Sequence, residues 1–218
     1  MLQWAREHGC PWNQWTCAAA AGRGDLKMLQ WARENRCSRG VSTCAAAARA
    51  GRLVALQWAR EHGCEWDSET CAAAAKHGHL EMLQWARQRR CPWDASRICA
   101  LAAQGGSLEV LRWVWAQYCP WGASTCAAAA RGGHLEVLKW ARGEKDCPWD
   151  ETTCSGAAYG GHLEALKWAR ANHCPWDARE CKNIAGDHEE MRAWVLAHFD
   201  DNEEKEDPEE EEEEEEDD

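Results

Sequence analysis

The 218-residue chain contains sixteen tryptophans and fourteen cysteines but only one phenylalanine and two tyrosines. Such an uneven composition is typical of one local pattern copied many times. No stretch approaches the roughly 18 consecutive apolar residues of a membrane span, and the N-terminus lacks the apolar segment and cleavage site of a secretory signal. We therefore expect an intracellular protein, cytoplasmic or nuclear, that has no membrane partner and keeps its thiols reduced.

The first residues of the chain match the middle of a repeating unit. Met1 occupies the same register as Met28 and Met82, within a second helix whose first-helix partner is absent. An uncapped apolar end is a solubility liability for a stack of repeats. We therefore expect an N-terminal half-repeat, and we expect the sequence to be part of a longer array.

Tryptophan and cysteine recur along residues 1–199 with one common period. Tryptophans spaced 26 to 28 residues apart are Trp4, Trp31, Trp58, Trp85, Trp113, Trp140, Trp168 and Trp194. The cysteines form pairs on the same period, namely Cys10/Cys17, Cys37/Cys44, Cys64/Cys71, Cys91/Cys99, Cys119/Cys126, Cys147/Cys154 and Cys174/Cys181. Pro-Trp-Asp or a relative of it usually stands between the paired cysteines, and an alanine run follows the second cysteine. The pattern indicates about seven copies of one unit.

Each unit predicts two helices. The alanine-rich stretch Glu69–His77 predicts a short first helix that stops at Gly78. A second helix is predicted from His79 to Arg90, because its apolar residues recur at helical spacing. A unit this short cannot bury both helices by itself, so the units must stack.

The segment Ala129–Lys139, Ala-Ala-Arg-Gly-Gly-His-Leu-Glu-Val-Leu-Lys, resembles the centre of an ankyrin repeat, and Ala158–Lys167 is similar. Gly63–Asp67 resembles the loop after the second helix of that family. Two features differ: the ankyrin period is about 33 residues, and its Thr-Pro-Leu-His opening is missing, with Thr70–Ala73 nearby instead. The resemblance implies an all-α solenoid of stacked helix–turn–helix, ankyrin-like repeats over residues 1–199. It also implies that the hairpin fingers between repeats are reduced.

The C-terminal part of the chain departs from the repeat twice. Residues 178–199 predict a C-terminal cap, because polar residues such as Asp187 and Arg192 replace small or apolar ones on the next stacking face. Residues 200–218 hold sixteen carboxylates against Lys205, a net charge of −15, so the rest of the chain carries +3. Repulsion between like charges and the lack of apolar residues predict that this acidic tail is disordered.

The fourteen cysteines raise the alternative of a metal- or redox-responsive array. Zinc needs four ligands that converge at about 2.0–2.3 Å, commonly from closely spaced cysteine pairs. The pairs here are wider, and successive units would lie about 10 Å apart. We therefore favour the cysteines as small core residues. Zinc, disulfides within a repeat, and haem bound by the five Cys-Pro dipeptides are the less favoured alternatives, and we predict no cofactor.

No candidate catalytic group stands apart from the repeat. An active site is normally a single asymmetric arrangement, whereas each histidine or glutamate here has equivalents in other units. No phosphate-binding loop or dinucleotide fingerprint is present. The histidines of the Gly-His-Leu motif give way to Asp25, Arg52 and Ser107 in other units, so we interpret them as helix-start or surface positions. We predict that the chain is not an enzyme.

Positions that vary between otherwise uniform units are free to contact a partner. By resemblance to ankyrin repeats, the end of the first helix borders the concave surface, and its last residue differs from unit to unit. The predicted partner-binding residues at this helix end are Arg49, Lys76, Gln104, Arg131 and Tyr159. Trp15 is added from a second set of variable positions, those just before the second cysteine. We predict a monomeric scaffold for protein–protein interaction that displays these side chains to a protein partner.

The charge distribution disfavours nucleic acid as the direct ligand. Phosphate binding needs clustered lysine and arginine, but the +3 of the repeats is spread thinly and the acidic tail opposes it. The tail itself suggests a second class of function. It is either a solubilising or autoinhibitory segment, or a docking site for basic proteins.

Overall fold

The computed structural model describes residues 14–35 and 40–198, and every regular element in those ranges is a helix. The helices alternate along the chain between two layers, which we call inner and outer. Each inner helix packs against the outer helix that follows it. The inner helices are α1 Gln14–Arg23, α3 Val41–Arg49, α5 Ser68–Lys76, α7 Ala95–Gln104, α9 Ala123–Arg131, α11 Glu151–Gly160 and α13 Ala178–Ile184. The outer helices are α2 Leu26–Glu34, α4 Leu53–Glu61, α6 Leu80–Gln88, α8 Leu108–Ala116, α10 Leu135–Lys139, α12 Leu163–Ala171 and α14 Glu189–Ala197.

The predicted fold class is confirmed over the described residues, because seven helix pairs follow one another in a stack. The N-terminal half-repeat and the acidic tail lie outside those residues. The boundaries of the array and of the cap at 178–199 stay predictions.

The aspartate of Pro-Trp-Asp, or of its relative Glu65-Trp66-Asp67, caps the start of four inner helices. The carboxylate of Asp67 accepts a hydrogen bond from the backbone N–H of Glu69 at 3.0 Å, which satisfies one of the amides that a helix start leaves unpaired. The equivalent caps are Asp94, Asp150 and Asp177. Gly40 and Gly122 precede α3 and α9 and supply no side-chain cap. The loop motif therefore sets where most units begin.

Inner and outer helices end differently. Each inner helix is followed by a glycine in the left-handed conformation, such as Gly78 with φ of 77°, which is a common helix stop. The left-handed residues after the outer helices include Arg90, Tyr118, Asp146 and His173. Helix α6 thus ends at Gln88, short of the predicted Arg90, because the chain turns left-handed at Arg90. Helix α5 ends at Lys76, one residue before the predicted end.

Small side chains hold the inner layer together. Its alanines and cysteines are mostly buried, whereas the outer helices contribute the fully buried leucines Leu29, Leu56, Leu83, Leu111, Leu138 and Leu166. The inner helices contact their neighbours along the array far more extensively than the outer helices do. A Cβ at Gly156 would lie only 2.8 Å from the carbonyl oxygen of Ala127. The inner layer is therefore the more closely packed side of the stack.

One outer helix is followed by an extra residue before the next cysteine. Trp140 and Cys147 are seven residues apart, whereas the matching Trp168 and Cys174 are six apart. A helix commonly absorbs one inserted residue as a π-helical turn, and Trp140–Glu144 forms such a turn at the end of α10. The stack therefore continues in register beyond the insertion.

Candidate functional site

Five of the six predicted partner-binding residues lie on one edge of the array. We define the turn edge as the last residues of the inner helices together with the turns that lead to the outer helices. It carries Arg49, Lys76, Gln104, Arg131 and Tyr159. Gln104 is half-buried and the other four are exposed, with Tyr159 58 % exposed. Trp15, 65 % exposed, lies at the opposite end of its inner helix, α1, and is therefore separate from the turn edge.

The structure brings two of these residues into contact. The guanidinium carbon of Arg131 lies 4.0 Å from the centre of the Tyr159 ring, which is a cation–π arrangement. The two side chains come from successive inner helices, α9 and α11, so their contact bridges two units at the surface. Arg49 and Lys76 both act electrostatically on His77, which places them in one neighbourhood.

Histidines link successive units along the turn edge. The ring of His79 packs so closely on Gly51 of the preceding unit that a Cβ there would lie 2.6 Å from its Cε1. The Nε2 of His79 donates to the carbonyl oxygen of Arg49 at 3.3 Å. His134 packs on Gly106 in the same way. These histidines are thus more than the helix-start or surface positions inferred from sequence, and the signal was the glycine present at the matching position of every unit.

The N-terminal half of the turn edge is basic. Its cations are Arg23, Arg49, Arg52 and Lys76. The aliphatic part of the Arg52 side chain lies against Gly24 of the preceding unit. One unit later, the His79 ring takes the same place against Gly51. Burial, and then the neighbouring charges of His79, Arg49 and Lys76, lower the pKa of His77 below its ordinary value. Arg52 and His77 were not among the predicted partner-binding residues.

Arginine and tryptophan hold the opposite edge. We define the loop edge as the ends of the outer helices together with the loops that lead to the next inner helix. The guanidinium of Arg87 lies 4.1 Å from the Trp93 ring centre and donates to the carbonyl oxygen of Cys91 at 2.9 Å. Trp93 meets Trp113 of the next unit edge to face at 6.1 Å. We call this arrangement the arginine staple, and it recurs as Arg60 with Trp66, Arg142 with Trp149 and Arg170 with Trp176.

One unit replaces the staple with a tryptophan cluster. Trp115 stands where four other units have the staple arginine, and it forms a cluster with Trp121 and Trp140. The three ring centres are 5.7 to 6.2 Å apart, and the Lys145 ammonium lies 4.7 Å from the Trp115 ring centre. Within the described residues this three-ring cluster occurs once. Its sequence signal was the single tryptophan in place of the arginine of Trp-Ala-Arg.

The twelve described cysteines are buried, and none of them forms a disulfide. Thiols that approach one another, such as those of Cys126 and Cys147, are about twenty residues apart in sequence, unlike the closer pairs that mark the repeat. Burial is the main cause that raises the pKa of the Cys44 and Cys99 thiols to about 12. For these two thiols the high pKa disfavours the thiolate, which is the form that binds metals and attacks electrophiles. The pKa values of Cys71, Cys147 and Cys174 are lowered instead, mainly by a hydrogen bond with a neighbouring thiol. Burial is typical of structural core cysteines.

Among residues 14–35 and 40–198, no group of three or more histidine, cysteine, aspartate or glutamate side chains is arranged to hold a metal ion. None of the helices there combines the length and the apolar character that crossing a membrane requires.

The fold is shared with proteins of known structure, and 127 chains of solved structures match this one. One of them is the ankyrin repeat domain of human ASB11, with a TM-score of 0.58 and 13 % sequence identity. That match covers 84 % of this chain and 97 % of the ASB11 chain. No protein-family model matches the sequence, and no curated protein does. The chain has an ankyrin-like repeat fold, as the sequence predicted.

Proposed function

We propose that the chain binds a protein partner on the concave face of its repeat array, along the turn edge. Ankyrin-like repeat folds are generally protein–protein interaction modules. The observation that carries the proposal is a contrast within the inner helices. Positions that pack on neighbouring helices are alanine or cysteine in nearly every unit, whereas the residue directly after the alanine run differs from unit to unit: Arg49, Lys76, Gln104, Arg131 and Tyr159.

The pair of Arg131 and Tyr159 is the proposed anchor of this surface. Tyrosine, tryptophan and arginine dominate the binding energy of protein interfaces, because they bury much area at a small entropic cost. The Tyr159 ring is 58 % exposed, and Arg131 already rests against it, so less side-chain freedom is lost on binding. Trp15 supplies a second exposed aromatic side chain on the inner layer.

The proposed role is that of a scaffold without chemistry of its own. The fold is typically non-enzymatic, and the described side chains of the turn edge do not place a nucleophile beside a base. A monomeric state, an intracellular location and a protein rather than nucleic-acid ligand belong to the same proposal.

Affinity capture with matched variants tests the surface. The full-length chain is compared with a turn-edge variant that combines Lys76→Ala, Arg131→Ala and Tyr159→Ala. A control variant combines Glu136→Ala, Lys139→Ala and Lys167→Ala, which are exposed or half-buried outer-helix positions. We expect a protein that the wild type and the control capture equally to be lost from the turn-edge variant by about tenfold or more.

Two results would count against the proposal. Equal capture by the turn-edge variant and the wild type would mean that the partner binds elsewhere on the array. Loss of capture in both triple variants would mean that no particular surface carries the interaction. Circular dichroism melting curves confirm that each variant keeps the wild-type helix content.

A further inference from the structure

Within residues 14–35 and 40–198, the basic half of the turn edge takes part in no ion pair. We name it the basic edge, and it consists of Arg23, Arg49, Arg52 and Lys76. The three ion pairs among the described residues lie elsewhere, at Arg97 with Glu69, Lys139 with Glu136 and Lys167 with Glu164. Asp25 is the one carboxylate in the turns of these units, and its oxygen already accepts the backbone N–H of Met28 at 2.9 Å to cap α2.

Two cations of the basic edge, Arg49 and Lys76, belong to one electrostatic neighbourhood. Arg49 and Lys76 end successive inner helices, and both act on His77, whose ring lies 6.4 Å from that of His79. The groups whose charge lowers the pKa of His77 are Arg49 and Lys76, which are cations, and His79, which becomes one on protonation. A row of cations on a low-dielectric wall concentrates a positive potential that attracts an extended anion.

The same chain contains a polyanion. Residues 209–216 are eight consecutive glutamates, within a tail of net charge −15, whereas the remaining 199 residues carry +3. The tail is therefore the natural counter-charge of the basic edge. With a net charge of −15, the tail produces a stronger negative electrostatic potential than any other segment of the chain.

The length of the tail allows the contact. Lys76 lies four units before α14, so it is about 40 Å away along the stack at about 10 Å per unit. Helix α14 ends on the loop edge, and crossing to the turn edge adds about 14 Å, the length of a nine-residue helix. The combined path of about 42 Å needs about thirteen extended residues, which places the glutamate run beside Lys76.

We propose that residues 209–216 bind along the basic edge of the same chain, where their carboxylates contact Arg49, Arg52 and Lys76. The contact neutralises part of each charged segment, and it covers part of the surface proposed to bind a protein partner. A partner then competes with the tail at this edge. The contact itself does not depend on the existence of that partner, so the two proposals stand or fall separately.

Zero-length cross-linking of the full-length chain tests the contact. A water-soluble carbodiimide activates a carboxylate, and the amine of a lysine within contact distance displaces the urea product to form an amide. Peptide mass spectrometry then reports which lysines are joined to residues 209–216. Lys205 lies within the tail and links to it in any case, so only lysines outside residues 200–218 are informative. Among these we expect Lys76 to be the main tail-linked lysine, with Lys139 and Lys167 joined to their ion-pair partners.

Lys167 is the internal control for proximity. It lies one unit from α14, much nearer the start of the tail than Lys76. Random encounters of the tail would therefore favour Lys167, whereas a specific contact favours Lys76. Tail links that fall mainly on Lys167, that are spread evenly over all lysines, or that do not form would each overturn the proposal. So would links between isotopically labelled and unlabelled chains in a mixture, because they report contacts between molecules.

Matched variants separate the contact from a general effect of charge. Replacing Arg49→Gln and Arg52→Gln leaves Lys76 in place as the reporter. We expect this pair to reduce the Lys76–tail cross-link by about fivefold or more, and we expect the control pair Lys139→Gln and Lys167→Gln to leave it unchanged. Equal reduction in both pairs would refute a specific contact. Salt at about 0.5 M should weaken the link in the wild type, because exposed charges are screened.

Discussion

The turn edge and the loop edge join the same repeats by different means. At the turn edge, a left-handed glycine of one unit lies directly beneath a histidine ring of the next, as Gly51 does beneath His79. At the loop edge, the joint is made by long side chains, such as Arg87 on Trp93. The turn edge is therefore built from backbone and a flat ring in van der Waals contact, whereas the loop edge is built from a flexible staple.

The difference explains where the array tolerates change. The loop edge contains left-handed residues other than glycine, a tryptophan in place of the staple arginine, and the inserted residue absorbed at Trp140–Glu144. The turn edge keeps glycine in the left-handed position of every described unit. Close packing transmits strain, while long side chains can readjust. Substitutions at the two edges should therefore differ sharply in their effect.

The largest effect is expected from Gly105→Ala at the turn edge. A Cβ at this position would lie 1.7 Å from the carbonyl oxygen of Lys76, so α5 and α7 would have to separate. We expect the free energy of unfolding to fall by about 3 kcal/mol or more, measured by urea denaturation. The control is Gly122→Ala at the loop edge, where no atom lies within 4 Å of the added carbon. A change beyond about 0.5 kcal/mol in the control, or a loss well below about 3 kcal/mol in Gly105→Ala, would contradict the expected difference between the edges.

A moderate effect is expected from Arg87→Ala at the loop edge. The substitution removes a charged hydrogen bond to the Cys91 carbonyl and a cation–π contact with Trp93, together worth about 2 kcal/mol. The control is Arg89→Ala, because the guanidinium of Arg89 is exposed and lies 5.3 Å from the Trp85 ring centre. We expect the control to cost less than about 1 kcal/mol in the same denaturation experiment. Equal losses in the two variants would show that the staple arginine stabilises the fold no more than an ordinary surface arginine does.

A gain in stability is expected from Tyr118→Gly. Tyr118 is 96 % exposed and has a φ of 58°, so its side chain buries almost nothing while its backbone is strained. Glycine adopts this conformation without the steric cost, and we expect a gain of about 1 kcal/mol. Tyr118→Ala removes the ring but keeps the Cβ, and we expect it to give no such gain. If the thermal midpoints of both variants rise equally, the gain comes from loss of the exposed ring and not from relief of backbone strain.

The sequence predicted the fold well because its signals are local. The tryptophan and cysteine period, the alanine runs and the turn glycines mark helix type, helix ends and unit length within a few residues of one another. The contacts between units were not predictable in this way. His79 packs against Gly51, which lies 28 positions earlier in the sequence. Neighbouring cysteines such as Cys126 and Cys147 are about twenty residues apart. Such contacts depend on how the units stack, which a single unit does not encode.

The candidate site was predictable only in part, for a related reason. Variation at the last inner-helix residue indicated Arg49 and Lys76, because a variable position in a repeat is free of the packing constraint. Arg52 occupies the histidine position of its unit, so the repeat pattern assigned it to structure. In the stack it packs on Gly24 and also adds charge to the edge. A residue that serves packing and surface charge together carries no distinct signal in the sequence.

The smallest expected effect concerns pH and is confined to the turn edge. Burial and the charges of His79, Arg49 and Lys76 lower the pKa of His77 in the folded chain, whereas the unfolded chain binds this proton near pH 6.5. The unfolded state then holds more protons, so this contribution to stability is complete above pH 6.5 and is lost as the pH falls toward the folded pKa.

The measurement uses full-length chains in which residues 209–216 are changed to glutamine, because a bound acidic tail would raise the pKa of His77 instead. Urea midpoints are compared between pH 8 and pH 5 with and without His77→Gln. We expect the midpoint to fall less on acidification in the His77→Gln chain, since it has no proton to bind at this position. Adding Lys76→Gln to the chain that keeps His77 should shrink the difference, because one repelling charge is gone. Identical acid sensitivity in all three chains would mean that the cations of the turn edge do not act on His77, and the edge would then lose its electrostatic distinction from the loop edge.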